Sequence, residues 1–192
     1  MTRYGRVESI APDHETRSFG CGSDEQTAWL RRHALQAQQS DTARVYVVCL
    51  AGSRSVAGYY ALAAGSIEPA EAPPTLTKGV GRYPVPVVIL TRLGVDVGEQ
   101  GRGVGSALVR DAFFQVAAIA DRVGVRALLI HAETPQAAAF YKRIDPGFEA
   151  SPTDPLHVAL LIKDFRRAIR DASESTPPAT WCRRFAGTSG GI

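Results

Sequence analysis

Residues 85–106 carry the sequence VPVVILTRLGVDVGEQGRGVGS, which contains the strongest secondary-structure signals of the chain. Its first half, Val85–Val95, is the most hydrophobic run of the chain and predicts a buried central strand, with Pro86 close to its start. From Val104 onward, apolar residues recur at every fourth position to about Arg122, which predicts a long amphipathic helix. A strand, a glycine-rich turn and a helix N-terminus therefore follow one another directly.

The glycine-rich turn consists of Gln100-Gly101-Arg102-Gly103-Val104-Gly105-Ser106. Glycine permits tight turns and keeps backbone N–H groups accessible, and the helix dipole favours an anion at a helix N-terminus. The turn therefore predicts a cradle for a phosphate or pyrophosphate, the alternative being a flexible connector. A dinucleotide-binding loop would need glycine or alanine where Ser106 stands, and a Walker A loop would need a lysine that this turn lacks.

Strand and helix patterns continue on both sides of this unit. Hydrophobic patterning predicts strands at 6–10, 44–50, 55–64, 126–132, 148–150 and 157–162, helices at 24–39, 135–143 and 163–172, and a long loop at 65–84 with one helical turn. This order predicts an α+β domain with a mostly antiparallel sheet, in which residues 85–132 form one right-handed parallel crossover. We assign residues 1–170 to this domain and residues 171–192, rich in Ser, Thr, Pro and Gly, to a disordered tail.

Composition excludes several classes of protein. A chain of 192 residues with 45% apolar and 21% charged residues fits one globular domain, and it contains no apolar run of the ~20 residues that a membrane helix needs. Its three widely separated cysteines argue against a disulfide framework and fit a cytoplasmic protein. Neither the cysteines nor the histidines show metal-ligand spacing, so we expect no bound metal. Because no apolar run is long enough to span a bilayer, we also expect no membrane association. The net charge of +3 neither demands nor excludes nucleic-acid binding.

Two positions within the central strand stand out. Gly94 predicts a β-bulge, the alternative being an incidental glycine in a core strand. Arg92 points to the side of the strand opposite Leu93, because side chains alternate along a strand. It is a candidate for binding a phosphate-bearing substrate, and a plain surface ion pair is the alternative.

The Gln-x-x-Gly-x-Gly spacing of the turn resembles the acetyl-CoA pyrophosphate loop of the GNAT superfamily of N-acetyltransferases, and the order of elements resembles that fold. The resemblance implies a GNAT sheet splayed between the fourth and fifth strands, with residues 100–106 holding the pyrophosphate of acetyl-CoA. It places the pantetheine contacts at Leu93 and Val95, with the Val95 N–H polarising the thioester carbonyl. It also makes Tyr141 the general acid near the sulfur, because a phenol with a pKa of ~10 can protonate a thiolate; a packed tyrosine is the alternative.

Three further stretches resemble the GNAT toxins of type II toxin–antitoxin modules. They are residues 18–34, 82–96 and 149–157. The resemblance implies acetylation of the α-amine of aminoacyl-tRNA, a ribbon-helix-helix antitoxin as partner, and a homodimer. Two departures from the family pattern are Gly20, where an aspartate is usual, and a short insertion between Tyr141 and Gly147, which we expect to lengthen a loop.

The residues leave two other functions open. One is a GNAT acetyltransferase of a small amine or a protein, and the other is an inactive GNAT-fold binding module or co-repressor. The sequence indicates no general base.

Overall fold

The computed structural model describes residues 3–167. Seven strands form one sheet in the order β1-β2-β3-β4-β5-β7-β6, in which β4 and β5 are parallel and every other neighbouring pair is antiparallel. The strands are β1 (Tyr4–Ser9), β2 (Arg44–Leu50), β3 (Val56–Ile67), β4 (Val85–Val95), β5 (Ala127–His131), β6 (Glu149–Ala150) and β7 (His157–Leu161). The predicted mixed, mostly antiparallel sheet with its one parallel crossover is confirmed.

Helices cover both faces of this sheet. They are α1 (Asp24–Arg32), α2 (Ala34–Gln39), α3 (Pro74–Thr77), α4 (Val104–Ala120) and α5 (Pro135–Ile144), and residues 162–167 are helical as well. The rest of the predicted last helix and the predicted tail at 171–192 lie outside the described residues. No helix of residues 3–167 combines the length and the apolar character that a membrane crossing requires.

The two faces of the sheet bury separate cores. On one face α4 and α5 pack on alternate residues of the central strands, so that Leu108, Leu128 and Leu160 are fully buried. On the other face α1 and α2 pack on β2 and β3, and α3 covers the opposite end of the same face. Each central strand therefore contributes to both cores, which explains its nearly continuous apolar sequence.

Two predictions about the elements are wrong. The helix predicted over 24–39 is divided at His33, whose φ of −121° ends α1. Neither glycine nor proline stands at that point, so the sequence does not mark the break. The second error concerns the bulge in β4, which we predicted at Gly94. Gly94 pairs regularly with Tyr59 of β3, whereas the register shifts at Thr91, the extra residue between the pairs Leu62–Leu90 and Ala61–Arg92.

Candidate active site

A gap opens in the sheet directly after the Thr91 bulge. The parallel pairing of β4 with β5 runs from Val87 to Leu90 and ends there. Beyond Leu90, β4 remains paired with β3 on its other side, where Leu93 lies opposite Tyr60. The backbone of Leu93 and Val95 therefore borders the gap, and the predicted splay between the fourth and fifth strands is present.

The glycine-rich turn leads from this gap into α4. Gly101 and Gly103 have φ values of 73° and 82°, a left-handed conformation that side chains other than glycine's rarely adopt. Gly103 is the N-cap of α4, and the first N–H groups of a helix have no acceptor within the helix. A Cβ added at either glycine would meet no atom within 4 Å. The turn is therefore open on the side where an anion would approach.

Gly105 has a different reason to be glycine. A Cβ at this position would lie 3.3 Å from Cζ of Phe140 and 3.6 Å from Cγ2 of Val95. Phe140 belongs to α5 and precedes Tyr141. The missing side chain thus allows α4, the end of β4 and α5 to approach one another, and Gly105 contributes close packing rather than an open surface.

Side-chain hydrogen bonds hold the turn in place. Nε2 of Gln100 donates to the carbonyl oxygens of Val95 and Cys21, at 3.0 Å and 2.9 Å. The Asp96 carboxylate accepts from the N–H groups of Gly20 at 2.9 Å and Gly98 at 3.0 Å. Gly20 makes this contact through its backbone, so an aspartate side chain at position 20 is not required for it. Gln100 acts here as a brace between two segments of backbone.

A buried carboxylate that the sequence did not indicate stands beside the turn. Glu99 accepts hydrogen bonds from Nε and Nη2 of Arg3 at 2.9 Å and 2.7 Å, and from the Tyr4 hydroxyl at 2.7 Å. These hydrogen bonds lower the pKa of Glu99 to about 2. Nε of Arg102 lies 3.5 Å from the same carboxylate. The partners are more than ninety positions apart in sequence, so no local pattern could have predicted the cluster.

Tyr141 lies across the gap from β4. It is 6% exposed and lines a cavity of about 50 Å³ together with Leu93, Arg92 and His131. No partner of its hydroxyl is found among residues 3–167, and burial raises the pKa of this tyrosine above the ordinary value. The phenol therefore stays protonated at neutral pH. The insertion lies beyond it, where Asp145 accepts a hydrogen bond from the Gly147 N–H at 2.8 Å in a tight turn.

A wider groove of about 580 Å³ adjoins this cavity on the α1 and α2 face of the sheet. Arg92 forms its rim: Nη2 lies 3.1 Å from Oε1 of Glu25, and the guanidinium stands over the Trp29 ring at 5.7 Å. The ion pair expected as the alternative for Arg92 is thus present, yet its Nε is buried without a hydrogen-bond partner in residues 3–167. This nitrogen therefore has an unsatisfied hydrogen-bonding capacity although protein atoms enclose it.

Sequence patterns did not indicate two further lining residues. Gln26 donates from Nε2 to the Glu133 carboxylate at 2.7 Å, and both residues line the cavity and the groove. This bond ties α1 to the segment that follows β5 and closes one wall of the site. Its members are 107 positions apart, which explains why sequence spacing did not reveal them.

One cluster away from the gap has the composition of a metal site. Ligand atoms of Glu8, His14 and Cys49 lie within 4.8 Å of one another. However, Nδ1 of His14 accepts a hydrogen bond from the Ala11 N–H at 2.8 Å, so Nε2 carries the ring proton and faces Glu8 at 3.1 Å. Arg54 adds a second donor to Glu8 at 2.7 Å. Hydrogen bonding already satisfies this cluster, which therefore fits a structural role.

Comparisons with known proteins agree with this geometry. No protein-family model matches the chain. The tRNA-acetylating toxin of Mycobacterium tuberculosis is 43% identical over 171 residues, which cover 89% of this chain and 100% of that protein. A solved structure of AtaT complexed with acetyl-methionyl-tRNAfMet has a TM-score of 0.78 at 26% identity, covering 85% of this chain and 98% of the other. AtaTR bound with acetyl-CoA has a TM-score of 0.72 at 25% identity and covers 88% and 99%.

Proposed function

Since the chain belongs to the GNAT toxin family of the tRNA-acetylating toxin from Mycobacterium tuberculosis, we propose that it transfers the acetyl group of acetyl-CoA to the α-amine of aminoacyl-tRNA. An acetylated α-amine cannot attack peptidyl-tRNA, so translation stops. The observation that carries the proposal is the unpaired edge of β4, which has the glycine-rich turn at one end and Tyr141 across the gap.

The donor substrate fits the β4 edge and the turn. The backbone of Leu93 and Val95 offers the hydrogen-bonding groups that β5 no longer uses, and an extended pantetheine arm can pair with them as a strand would. The N–H groups of residues 101–106 point from a helix N-terminus, where the dipole favours pyrophosphate. Arg102, with a side chain 52% exposed, adds a positive charge at the same place.

The chemistry then follows from two groups on opposite sides of the gap. The amine nitrogen attacks the thioester carbonyl carbon, and the Val95 N–H stabilises the negative charge that develops on the carbonyl oxygen. As the new C–N bond forms, the C–S bond breaks. Tyr141 gives its phenolic proton to the departing sulfur, and its raised pKa means that the phenol carries this proton before the attack.

The acceptor enters from the groove on the α1 and α2 face. The Trp29 ring offers a stacking surface, and Arg92 offers a positive charge for the terminal nucleotide. The phosphates farther along the acceptor stem require basic groups outside the groove, which a homodimer would supply more readily than one chain. A ribbon-helix-helix antitoxin and a cytoplasmic location complete the proposal, because charged tRNA resides there.

The test is incubation of total charged tRNA with labelled acetyl-CoA and the protein, followed by identification of the acetylated aminoacyl adenosine. We expect label on one or a few aminoacyl-tRNAs and none on deacylated tRNA. The Tyr141→Phe variant should retain its affinity for acetyl-CoA and lose about 10²-fold or more in rate. Tyr83→Phe is the matched control, because Tyr83 is 81% exposed and lines neither the cavity nor the groove.

Two results would contradict the proposal. One is label on a protein or a small amine in a translation extract while every aminoacyl-tRNA remains unmodified, which would favour the small-amine or protein acetyltransferase. The other is acetyl-CoA binding without any turnover, which would favour an inactive binding module. Equal rates for Tyr141→Phe and wild type would remove the tyrosine from the mechanism and leave the substrate assignment unaffected.

A further inference from the structure

Two histidines form a stacked pair at the groove end of the gap. His131 is the last residue of β5 and His157 the first of β7, and the two are direct partners across the antiparallel ladder. Their ring centroids are 3.9 Å apart and the rings are inclined by 22°. His131 lines both the cavity that contains Tyr141 and the adjoining groove. His157 does not line either space and faces the Asp154 carboxylate, 3.4 Å from its Nε2.

This arrangement makes the two rings unequal. Two positive charges on rings stacked at this distance would repel each other, and His157 has the Asp154 carboxylate beside it whereas His131 faces the cavity. Burial, and then the neighbouring His157, lower the pKa of His131 below the ordinary value. His131 is thus neutral at pH 7 and keeps a lone pair on a ring nitrogen.

We propose that His131 is the catalytic base of the acetyl transfer, accepting the proton that the attacking amine loses. The inference rests on the proposed function. The neutral amine forms the C–N bond and gives one proton to His131, while the C–S bond breaks and Tyr141 gives one proton to sulfur. Return of the His131 proton to the tyrosinate through water restores both residues, so that amine and thioester become amide and thiol.

The other groups around His131 are less suited to this role. Glu133 accepts hydrogen bonds from Gln26 and Ser23, and Glu25 is paired with Arg92. The carboxylates of Glu71 and Asp154 act to raise the pKa of His131, but neither residue lines the cavity or the groove. Arg92 is permanently cationic and cannot accept a proton. No cysteine lines either space.

The experiment is the pH dependence of kcat/KM for thiol release from acetyl-CoA, measured with total charged tRNA. Base and substrate amine must both be unprotonated, so log kcat/KM of the wild type should fall with a slope near 2 at pH values below the pKa of both groups. In His131→Gln the slope should be near 1, because the amine alone still titrates, and the rate at pH 7 should fall about 10²-fold. His33→Gln is the matched control, since His33 lies at the exposed α1–α2 junction, and its profile should match the wild type.

A second variant separates catalysis from structure. In His157→Gln the neighbouring ring that lowers the pKa of His131 is lost and His131 remains, so the acid limb should move to higher pH while the rate at pH 8.5 stays near wild type. Histidine ring resonances followed by NMR should show the same upward shift of the His131 titration without any substrate present. Unchanged acetyl-CoA affinity shows that each variant is folded.

The outcomes distinguish this inference from the proposed function. An active wild type together with an equally active His131→Gln variant of unchanged slope overturns the base assignment alone. A His131 titration that does not move in His157→Gln overturns it as well. A wild type that acetylates no aminoacyl-tRNA overturns the proposed function, and the base assignment falls with it.

Discussion

Replacement of Gly94 by alanine tests why a glycine interrupts the hydrophobic run of β4. A Cβ at this position would lie 2.7 Å from Cε1 of Tyr59 and 3.3 Å from Cζ of Phe19. The Tyr59 ring is fully buried, stacks on Trp29 with centroids 6.0 Å apart, and donates its hydroxyl to the Gln26 carbonyl at 2.7 Å. Because these contacts hold the ring, the strand rather than the ring must move to accept the added methyl group.

The expected cost follows from this overlap. Overpacking a core by one methyl group costs about 1–3 kcal/mol, and 1 kcal/mol shifts the Tm of a chain of this size by roughly 2–4 °C. We therefore expect the Tm of Gly94→Ala to fall by about 2–12 °C. The displaced strand carries Leu93 and Val95 on either side of the substitution, so the affinity for acetyl-CoA should decrease as well.

The assay is differential scanning calorimetry, followed by titration of the folded variants with acetyl-CoA. Gly124→Ala is the matched control, because a Cβ at Gly124 meets nothing within 4 Å and its φ is ordinary. The control should be unchanged or slightly more stable than wild type, since alanine reduces the entropy of the unfolded chain. A Tm of Gly94→Ala equal to that of Gly124→Ala would refute the packing explanation for this glycine.

Three other predictions concern the glycine-rich turn, the hydrogen-bonded cluster around Glu99, and the binding of charged tRNA. Gly103→Val should lower acetyl-CoA affinity in titration calorimetry by at least about tenfold, because a β-branched residue avoids the φ of 82° that presents the N–H groups; equal affinity would contradict this. Glu99, with its pKa lowered to about 2 from an ordinary ~4.3, stabilises the fold above pH ~4.5 and loses this effect as the pH falls towards 2. Urea midpoints of the wild type should therefore decline more steeply over that range than those of Glu99→Gln, and parallel curves would speak against the cluster. Filter-binding affinity for charged tRNA should fall linearly with salt on logarithmic axes, and a salt-independent affinity would exclude phosphate contacts.

The central unit was predictable because its signals are local. The apolar run of β4, the four-residue spacing of α4 and the glycines between them need only neighbouring residues, and the observed bounds of β4 match the predicted 85–95. The position of the bulge was not predictable in this way, since it depends on how β3 and β4 come into register. The sequence pattern therefore indicates a bulge at Gly94, whereas close packing against the Tyr59 ring explains why this residue is a glycine.

The residues that line the acceptor side of the site could not be predicted from the sequence, for a related reason. The bond between Gln26 and Glu133, and the cluster of Arg3 with Glu99, join residues that only the finished sheet brings together. The same holds for the stacking of His131 on His157, which follows from the pairing of two strands that are separated in sequence by α5 and β6. A sequence without such long-range information identifies the residues of the turn and Tyr141, but leaves the acceptor side undetermined.

The gap between β4 and β5 also has a consequence for the kinetic order of the reaction. Residues of α1 on one face and of α5 on the other line the same cavity, so the two faces of the sheet are connected at this gap. A thioester that lies along the turn and α4 and an amine that arrives from the groove do not compete for space. Both substrates are then bound before transfer, and initial rates plotted reciprocally against one substrate at several levels of the other should give intersecting lines, where a ping-pong enzyme would give parallel ones.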